Sequence, residues 1–479
     1  MKALNVDVAV IGSGTAGLAA YRAAKTAGAT VALIEGGEYG TTCARVGCMP
    51  SKLLIAAAEA VHAAQLAPAF GVHIDGKIRI DGRDVMARLR SERDRFVDFV
   101  TRDVERIPEA DRIRGHARFE NDHTLLVDGT LRITAKSIVI ATGSRVTYPD
   151  AFRKLGERLI INDDVFAWTD LPEAVAVIGP GVIGLELGQA LHRLGVRVAV
   201  LGRGGRVGPI ADPEIRAYAI QTFSRELVLE PDAHFVGMER EGDRVAIRRG
   251  NAEGVEFTEH FDYLLAATGR SPNVDRIGLE NTTIDRDAAG VPVFDSTTAQ
   301  TVNAAGPAPI FVAGDASNFI PLLHEAADEG RIAGENAARV AAGKPVGRGI
   351  RRAPLGVVFT DPQIAIVGGG WQALEQGRFV VGQVSFEDQG RSRVLLKNQG
   401  LLNVYGDVAT GRLLGAEMIG PAAEHLGHLL AWALQNQMTI PEMLEMPFYH
   451  PVIEEGLRTA LRDLDGKLRS AHARAVRAA

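Results

Sequence analysis

VAVIGSGTAG spans Val8–Gly17, and VAVIGPGVIG spans Val175–Gly184, 167 residues further along the chain. Each copy is an apolar run that leads into G-x-G-x-x-G, and a helical pattern follows each one. A glycine-rich turn between a buried strand and a helix is typical of a dinucleotide-binding unit, and two copies are far more specific than one. We therefore expect an α/β protein that contains two Rossmann-like domains.

The glycines of the two fingerprints have separate roles in such a unit. The first makes the tight turn, the second lets the backbone approach a pyrophosphate, and the third lets the helix pack on the strand. They are Gly12, Gly14 and Gly17 in the first copy and Gly179, Gly181 and Gly184 in the second. The helix N-terminus that follows each turn would face the phosphates. Glycine-rich turns without a ligand are the alternative, which the duplication disfavours.

The ribose-binding position differs between the two copies. The segment VALIE ends at Glu35, 18 residues after Gly17, and this carboxylate can accept from the ribose hydroxyls of an adenosine. The same step from Gly184 reaches Gly202, and Arg203 and Arg206 follow it. An acid at this position repels a 2′-phosphate, whereas arginine binds phosphate oxygens well. We predict that the second site prefers or readily accepts NADP(H). Solvated loop arginines, with NAD bound through its pyrophosphate, are the alternative.

Three further strand ends complete the pattern. SIVIATGS and YLLAATGR each run from an apolar strand into A-T-G, which places Thr142, Gly143 and Gly269 where the chain crosses between domains. PIFVAGDAS places Asp315 at the end of another strand. Its carboxylate can accept from ribityl or ribose hydroxyls, although a turn aspartate explains the same pattern equally well.

Cys43 and Cys48, in TTCARVGCMPSK, are the only cysteines in 479 residues. On a regular helix this spacing would turn them about 140° apart, so a disulfide between them requires a distorted turn, which Gly47 permits. The following segment reads as a helix with Pro50 in its first turn, and a helix N-terminus favours a thiolate. Two buried thiols are the alternative. We expect no metal site, because no Cys/His cluster accompanies the pair.

Composition excludes several classes of protein. The hydrophobic fraction of 46%, the charged fraction of 23% and the net charge of −6 are ordinary for a folded protein and give no nucleic-acid signal. The N-terminal segment lacks the features of a signal peptide, and no uninterrupted apolar run approaches the roughly 20 residues of a membrane span. We expect a cytoplasmic protein of two to four domains without a membrane or nucleic-acid partner.

Taken with LLHEAADEGRIAGENAA and HPVIEEGLRTALRD, these motifs resemble the class I pyridine nucleotide-disulfide oxidoreductases, and most closely the dihydrolipoyl dehydrogenases. The resemblance covers nearly the whole chain. It implies a glutathione reductase-like fold, with an FAD-binding domain at 1–148 and 276–348, an inserted NAD(P)-binding domain at 149–275, and an α+β interface domain at 349–479. It also implies the cofactors FAD and NAD(P)H and a homodimer.

The resemblance assigns the redox residues. It implies that Cys48 faces the flavin and that Cys43 exchanges with a dithiol substrate. Lys52 would lie near the flavin N5 and pair with Glu186 in the second fingerprint helix. The implied substrate is a small dithiol or disulfide or a protein-bound lipoyl group, and a 2-oxo acid dehydrogenase complex is an expected partner.

The resemblance also assigns a base near the C-terminus. His450 and Glu455 match the family pattern H-P-x-x-x-E, in which the carboxylate orients an imidazole that takes a proton from a thiol. The base would act in the partner subunit's site. Val452 and Glu454 depart from the common Thr and Ser, and the sequence assigns no role to Glu454.

Several alternatives share part of this pattern. An NADPH-dependent reductase of low-molecular-weight disulfides, like glutathione reductase, would use the same catalytic residues. Mercuric and large thioredoxin reductases are disfavoured, since they carry a second pair near the C-terminus. A soluble transhydrogenase and a non-catalytic flavin-binding scaffold are disfavoured by the intact set of catalytic residues.

Overall fold

The computed structural model describes residues 1–250 and 254–478, with side chains through residue 473. By internal contacts the chain forms two compact units. The first comprises Met1–Leu53, Ala87–Thr147 and Gly269–Arg351, and the second comprises Leu54–Met86, Tyr148–Thr268 and Arg352–Ala479. The three-domain boundaries given above stay a prediction.

The strands in chain order are β1 Lys2–Ile11, β2 Val31–Glu35, β3 Arg112–Arg114, β4 Ala117–Asn121, β5 Thr124–Val127, β6 Leu131–Ile140, β7 Ser144–Val146, β8 Leu159–Ile160, β9 Ala174–Ile178, β10 Arg197–Leu201, β11 Val228–Glu230, β12 His234–Glu241, β13 Arg244–Gly250, β14 Glu256–Phe261, β15 Tyr263–Ala266, β16 Arg270–Pro272, β17 Gln300–Asn303, β18 Gly306–Val312, β19 Leu355–Val358, β20 Gln363–Gly368, β21 Phe379–Ser385, β22 Leu401–Asp407 and β23 Leu413–Gly420.

The helices are α1 Thr15–Thr26, α2 Thr42–Val46, α3 Cys48–Leu66, α4 Gly82–Glu105, α5 Asn162–Val165, α6 Val182–Arg193, α7 Pro213–Phe223, α8 Leu323–Ala341, α9 Gly390–Val394, α10 Ala423–Gln435, α11 Ile440–Leu444 and α12 Glu454–Ala478. Short 3₁₀ turns cover Ala67–Phe70, Glu109–Asp111, Asp150–Arg158, Leu279–Asn281, Gly314–Ser317 and Trp371–Ala373.

The first unit is built on a mostly parallel sheet in the order β17-β18-β6-β1-β2-β3, with β4 and β5 extending it from β6. The last four residues of β1 and of β6 are buried, because helices or further chain cover both faces of the sheet there. The helices α1 and α8 pack against one face, where the small side chains of Ala16, Ala20 and Ala333 are buried. The carboxyl ends of β1 and β2 thus carry the first fingerprint and Glu35.

The second unit contains the repeat of this arrangement. A parallel sheet in the order β11-β10-β9-β15-β8 carries the second fingerprint after β9. The helices α1 and α6 begin and end at positions that differ by the same 167 residues as the fingerprints. The Rossmann-like pattern that the sequence predicts is therefore present twice.

The C-terminal part of the second unit is an antiparallel sheet in the order β19-β20-β23-β22-β21. The helices α10 and α12 cover one face, and Leu426, Leu457, Leu461 and Leu464 are buried there against the strands. This part has the α+β composition that was expected of an interface domain. The predicted α/β fold class is confirmed.

One segment, Thr42–Phe70, is long and apolar enough to cross a membrane by length and composition, and 17% of its best window is buried. A single segment of this kind is weak evidence, because core helices of soluble proteins pass the same test. The segment also carries charges at Arg45, Lys52 and Glu59.

Candidate redox and nucleotide-binding site

The first fingerprint has the geometry that a bound pyrophosphate needs. A Cβ on Gly12, whose φ is +105°, would lie 2.3 Å from the carbonyl oxygen of Ala141, and one on Gly17 would lie 1.8 Å from that of Gly12. These two glycines are therefore required by close backbone contacts. Gly14 has no atom within 4 Å of its would-be Cβ, so open space lies beside the N-terminus of α1. The residues present fit the diphosphate of FAD.

Glu35 lies at the end of β2, and three donors hold its carboxylate. The backbone N–H and the hydroxyl of Ser13 donate to Oε2, each at 2.8 Å, and the backbone N–H of Gly37 donates to Oε1 at 2.7 Å. Ser13 occupies the variable position within G-x-G, and sequence reasoning missed its role. Its role depends on the approach of Glu35 from β2, which is 22 residues away and is not marked by the local sequence.

The A-T-G segment and Asp315 meet in the first unit. The hydroxyl of Ser144 donates to Asp315 Oδ2 at 2.6 Å, and the guanidinium of Arg270 donates to that hydroxyl at 2.8 Å. The buried hydroxyl of Thr142 has no hydrogen-bond partner among the described residues. An orphaned donor beside an ordered carboxylate is consistent with a polar ligand such as the ribityl chain of FAD.

The two A-T-G glycines have positive φ angles and lie directly before two short strands. Gly143 has a φ of +67° and Gly269 a φ of +131°, and neither would-be Cβ has an atom within 4 Å. The strands β7 and β16, which follow the two glycines directly, pair antiparallel. The two A-T-G segments are thereby joined within the first unit.

The second fingerprint repeats the backbone of the first. A Cβ on Gly179 would lie 2.3 Å from the carbonyl oxygen of Ala267, and one on Gly184 would lie 2.0 Å from that of Gly179. Gly181 has no atom within 4 Å. The residues present at the N-terminus of α6 therefore fit the pyrophosphate of a nicotinamide dinucleotide.

The ribose edge of the second unit has no carboxylate at the position of Glu35. Gly202 directly follows β10, and the exposed side chains of Arg203 and Arg206 lie on the turn after it. The Arg203 guanidinium lies over the ring of Phe235, with 5.5 Å to the ring centroid. Neither arginine forms an ion pair with a residue that the structure describes. Asp232 accepts a hydrogen bond from the backbone N–H of Gly204 at 2.8 Å.

The two cysteines flank a break between two helices. Cys43 lies in the short helix α2, and Cys48 is the first residue of the 19-residue helix α3. Gly47, with a φ of −129° and a ψ of −119°, separates the two helices. Both residues are thiols here, with Cys43 half-buried and Cys48 exposed. Contact with the Cys48 sulfur, together with burial, raises the pKa of the Cys43 thiol. Cys48 lies at the N-terminus of α3, a position that favours a thiolate.

Lys52 and Glu186 belong to different units, and each has its own local contacts. Lys52 Nζ donates to Ser51 Oγ at 3.3 Å, one turn into α3. Glu186 is buried on α6, where its Oε1 accepts from the backbone N–H of Phe359 at 2.9 Å. A buried carboxylate in this position is held and oriented by the second unit. The pairing of Lys52 with Glu186 stays a prediction.

The predicted base and its carboxylate are in contact. His450 Nδ1 lies 2.9 Å from Glu455 Oε2, and the imidazole is 80% exposed. Burial opposes ionisation of Glu455, but hydrogen bonds from His450 and the Val452 N–H and the charge of Arg458 hold the pKa of its carboxyl below its usual range. The Glu455 carboxylate therefore stays ionised beside Nδ1. The other ring nitrogen of His450 belongs to an exposed ring and can act as the base.

Two neighbours of this pair were not assigned from the sequence. Arg458 Nη2 donates to Glu455 Oε1 at 2.8 Å, so one carboxylate is shared by a guanidinium and an imidazole. The spacing of three residues on a helix was a usable signal. Glu454, whose role was left open, is the first residue of α12, where a negative charge favours the helix N-terminus.

This chain is similar to known proteins. The family described as pyridine nucleotide-disulphide oxidoreductase matches residues 6–330, and its dimerisation domain matches residues 355–461. The dihydrolipoyl dehydrogenase of Haloferax volcanii is 31% identical over 482 residues, which cover 97% of each chain. Dihydrolipoyl dehydrogenase 3 of Pseudomonas aeruginosa is 31% identical over 488 residues, covering 96% of this chain and 98% of that one. The crystal structure of LpdA from Mycobacterium tuberculosis has a TM-score of 0.79 at 24% identity, covering 95% of this chain and 99% of that one, which concerns the fold alone.

Two nucleotide fingerprints, a C-x₄-C pair at a helix N-terminus and a C-terminal dimerisation domain place this chain in the pyridine nucleotide-disulphide oxidoreductase family, to which it belongs. Within that family it is an FAD- and NAD(P)-dependent enzyme of the dihydrolipoyl dehydrogenase-like type, and it forms a homodimer. The resemblance stated from the motifs is confirmed.

Proposed function

We propose that Cys43 and Cys48 form a redox-active disulfide that exchanges electrons with a dithiol substrate. The observation that carries this proposal is the contact between the two sulfurs across Gly47, which raises the pKa of the Cys43 thiol while Cys48 begins α3. An exposed disulfide is easier to reduce than a buried structural one, and Cys48 is exposed. FAD, when bound, transfers an electron pair between the reduced cysteines and the nicotinamide.

His450 takes part in proton transfer, and Cys43 and Cys48 carry out the disulfide exchange. His450 takes the proton from a substrate thiol, with Glu455 holding its Nδ1 side at 2.9 Å. The substrate thiolate attacks the Cys43 sulfur, the bond between the two cysteines breaks, and Cys48 leaves as a thiolate. The second substrate thiol then loses its proton and attacks the substrate sulfur of the mixed disulfide. The bond to Cys43 breaks, Cys43 leaves as a thiolate, and the substrate is released as a disulfide, so that the electron pair given up by the substrate is held by the reduced Cys43 and Cys48. Exposure alone would favour Cys48 as the exchanging sulfur, so the assignment rests on the position of Cys48 at the N-terminus of α3 and on the family pattern.

The assignment is tested by anaerobic reduction of the purified holoenzyme. Two reducing equivalents should give a long-wavelength absorption band between thiolate and flavin, and Cys43→Ser should keep a band of this kind that Cys48→Ser loses. The opposite behaviour of the two variants would exchange the roles. A spectrum of plain reduced flavin, with both thiols inert, would refute the redox pair.

The base is proposed to act in the site of the partner subunit. Since the chain forms a homodimer, a heterodimer of Cys48→Ser and His450→Gln subunits would contain one intact site. Such heterodimers should regain part of the activity that both homodimers lack. Verified heterodimers without any recovered activity would contradict the arrangement.

We also propose that the second nucleotide site prefers or readily accepts NADP(H). The absence of a carboxylate at Gly202 removes the group that would bind a ribose 2′-hydroxyl and repel a 2′-phosphate. Arg203 and Arg206 are exposed and are paired with no described carboxylate, so they are available to a phosphate. One charge-assisted contact of about 1.5–3 kcal/mol corresponds to a preference of roughly tenfold or more.

The measurement is the ratio of kcat/KM for NADPH to that for NADH. The wild type should favour NADPH or accept it comparably, and Arg203→Ala with Arg206→Ala should lower the ratio by at least about tenfold. A wild type that favours NADH tenfold, or an unchanged ratio in the double variant, would refute the role of the arginines.

The substrate is proposed to be a dihydrolipoyl group, free or attached to a protein of a 2-oxo acid dehydrogenase complex. The names of the two curated relatives support this substrate class. Reduction of a low-molecular-weight disulfide with NADPH is the second candidate, and the two exposed arginines favour it. Turnover of dihydrolipoamide against glutathione disulfide, each with both nicotinamides, separates the two functions.

A further inference from the structure

In the first fingerprint, the residue between the first two glycines holds the carboxylate of Glu35 in place. Ser13 supplies both a backbone N–H and a hydroxyl to Glu35 Oε2, each at 2.8 Å. A side chain at the end of β2 thus has space beside the turn and two donors that hold its carboxylate in place. This arrangement leaves the outer edge of the carboxylate for a ribose hydroxyl.

The equivalent residue of the second fingerprint is Pro180, which can supply neither donor. Proline has no backbone N–H and no hydroxyl. Its ring also fills the space, because a Cβ on Gly202 would lie 2.6 Å from Pro180 Cδ and 2.7 Å from its Cγ. On the other side the carbonyl oxygen of Pro231 would be 2.7 Å away. A rigid ring and a backbone carbonyl therefore close the position from both sides.

The backbone of Gly202 has little freedom to move away from this clash. Its N–H donates to the carbonyl oxygen of Glu230 at 2.8 Å, and its own carbonyl accepts from the N–H of Ala233 at 2.9 Å. The preceding strand is tied to the fingerprint, since Gly179 N donates to the Leu201 carbonyl at 2.8 Å. Relief of the clash would disrupt these bonds.

We infer that Pro180 is a specificity-determining residue of the second nucleotide site, because its ring excludes any side chain, and hence any ribose-binding carboxylate, at Gly202. The residue pair Pro180 and Gly202 replaces the pair Ser13 and Glu35 as a unit. The site thereby lacks the carboxylate that would repel a 2′-phosphate, and this effect does not involve the arginines. Preference for NADP(H) rests in addition on the proposed role of Arg203 and Arg206.

The inference implies that the two positions are coupled. Gly202→Glu alone should lower the melting temperature of the holoenzyme and weaken the binding of both NAD⁺ and NADP⁺, since the side chain has no space. Pro180→Ser should reduce that loss, so that the double variant is more stable than the sum of the single changes. The double variant should also favour NAD⁺ over NADP⁺ about tenfold more than the wild type does, as measured by the ratio of the two dissociation constants.

A double-mutant cycle on the oxidised holoenzyme tests the coupling, with binding followed by flavin or tryptophan fluorescence and stability by thermal unfolding. The same cycle with Gly202→Ala adds only a methyl group and isolates the steric part from the charge. Additive effects on stability, or a Gly202→Glu variant that is as stable as the wild type and already prefers NAD⁺, would overturn the inference. A wild type that prefers NADH would refute the role of the arginines but would leave this cycle decisive.

Discussion

Helices α1 and α8 approach each other so closely that two positions on α8 accept no side chain. A Cβ on Gly330 would lie 2.2 Å from the carbonyl oxygen of Ala16, and one on Gly334 would lie 2.2 Å from that of Ala20. Because α1 begins directly at the first fingerprint, any displacement of this helix also moves the proposed FAD phosphate site. We predict that Gly334→Ala destabilises the first unit and weakens its retention of flavin.

The magnitude follows from the distance. Ordinary contact begins at 3.4 Å, so the helices would have to separate by roughly 1 Å. Overpacking of this kind costs about 1–3 kcal/mol, whereas alanine in place of a helical glycine contributes about 1 kcal/mol. A net loss of up to about 2 kcal/mol in a unit of roughly 200 residues lowers Tm by up to about 8 °C.

The assay is thermal unfolding of the holoenzyme with simultaneous detection of released flavin. Gly466→Ala is the matched control, since Gly466 is a helical glycine on α12 with no atom within 4 Å of its would-be Cβ. The control should gain stability from helix propensity alone. A Gly334→Ala variant that is stabilised as much as the control, with flavin fully retained, would refute the steric reasoning.

Two further predictions concern the second unit. Replacement of Arg458 by Met removes the guanidinium that shares the Glu455 carboxylate with the His450 imidazole. Loss of this positive charge favours the protonated base, so the acidic limb of the kcat/KM profile for the dithiol should move to higher pH. The exposed Arg462 provides the control, and an equal shift on its replacement by Met would point to general surface charge. Tyr405→Phe removes the hydroxyl that donates to buried Asp212 at 2.8 Å, and we expect a loss of about 1–3 kcal/mol in unfolding free energy, measured as a lowered denaturant midpoint. An unchanged midpoint would show that the hydrogen bond contributes nothing.

Much of the fold can be predicted from the local sequence pattern, whereas several contacts in the site cannot. The fingerprints predict a strand, a turn and a helix because only glycine tolerates the close backbone contacts of the turn, and the glycines can be read directly from the sequence. The roles of Ser13 and Pro180 depend on what lies beside them in three dimensions. The order of strands in the first sheet, with β18 beside β6, joins segments far apart in sequence. Arg458 was within reach of helical spacing, but an exposed arginine three residues from a glutamate is too common to single out.

The second unit combines the nicotinamide fingerprint with the sheet that the dimerisation domain supplies, and buried polar contacts join the two. Asp212 caps α7 through the N–H groups of Glu214 and Ile215, and its other oxygen accepts from Asn403 and Tyr405 on β22. A buried carboxylate is expensive to leave unpaired, so neither partner surface can separate without a large desolvation cost. The helix after the nucleotide site and the sheet of the dimerisation domain are thus joined within the second unit by one buried carboxylate whose two oxygens are both hydrogen-bonded.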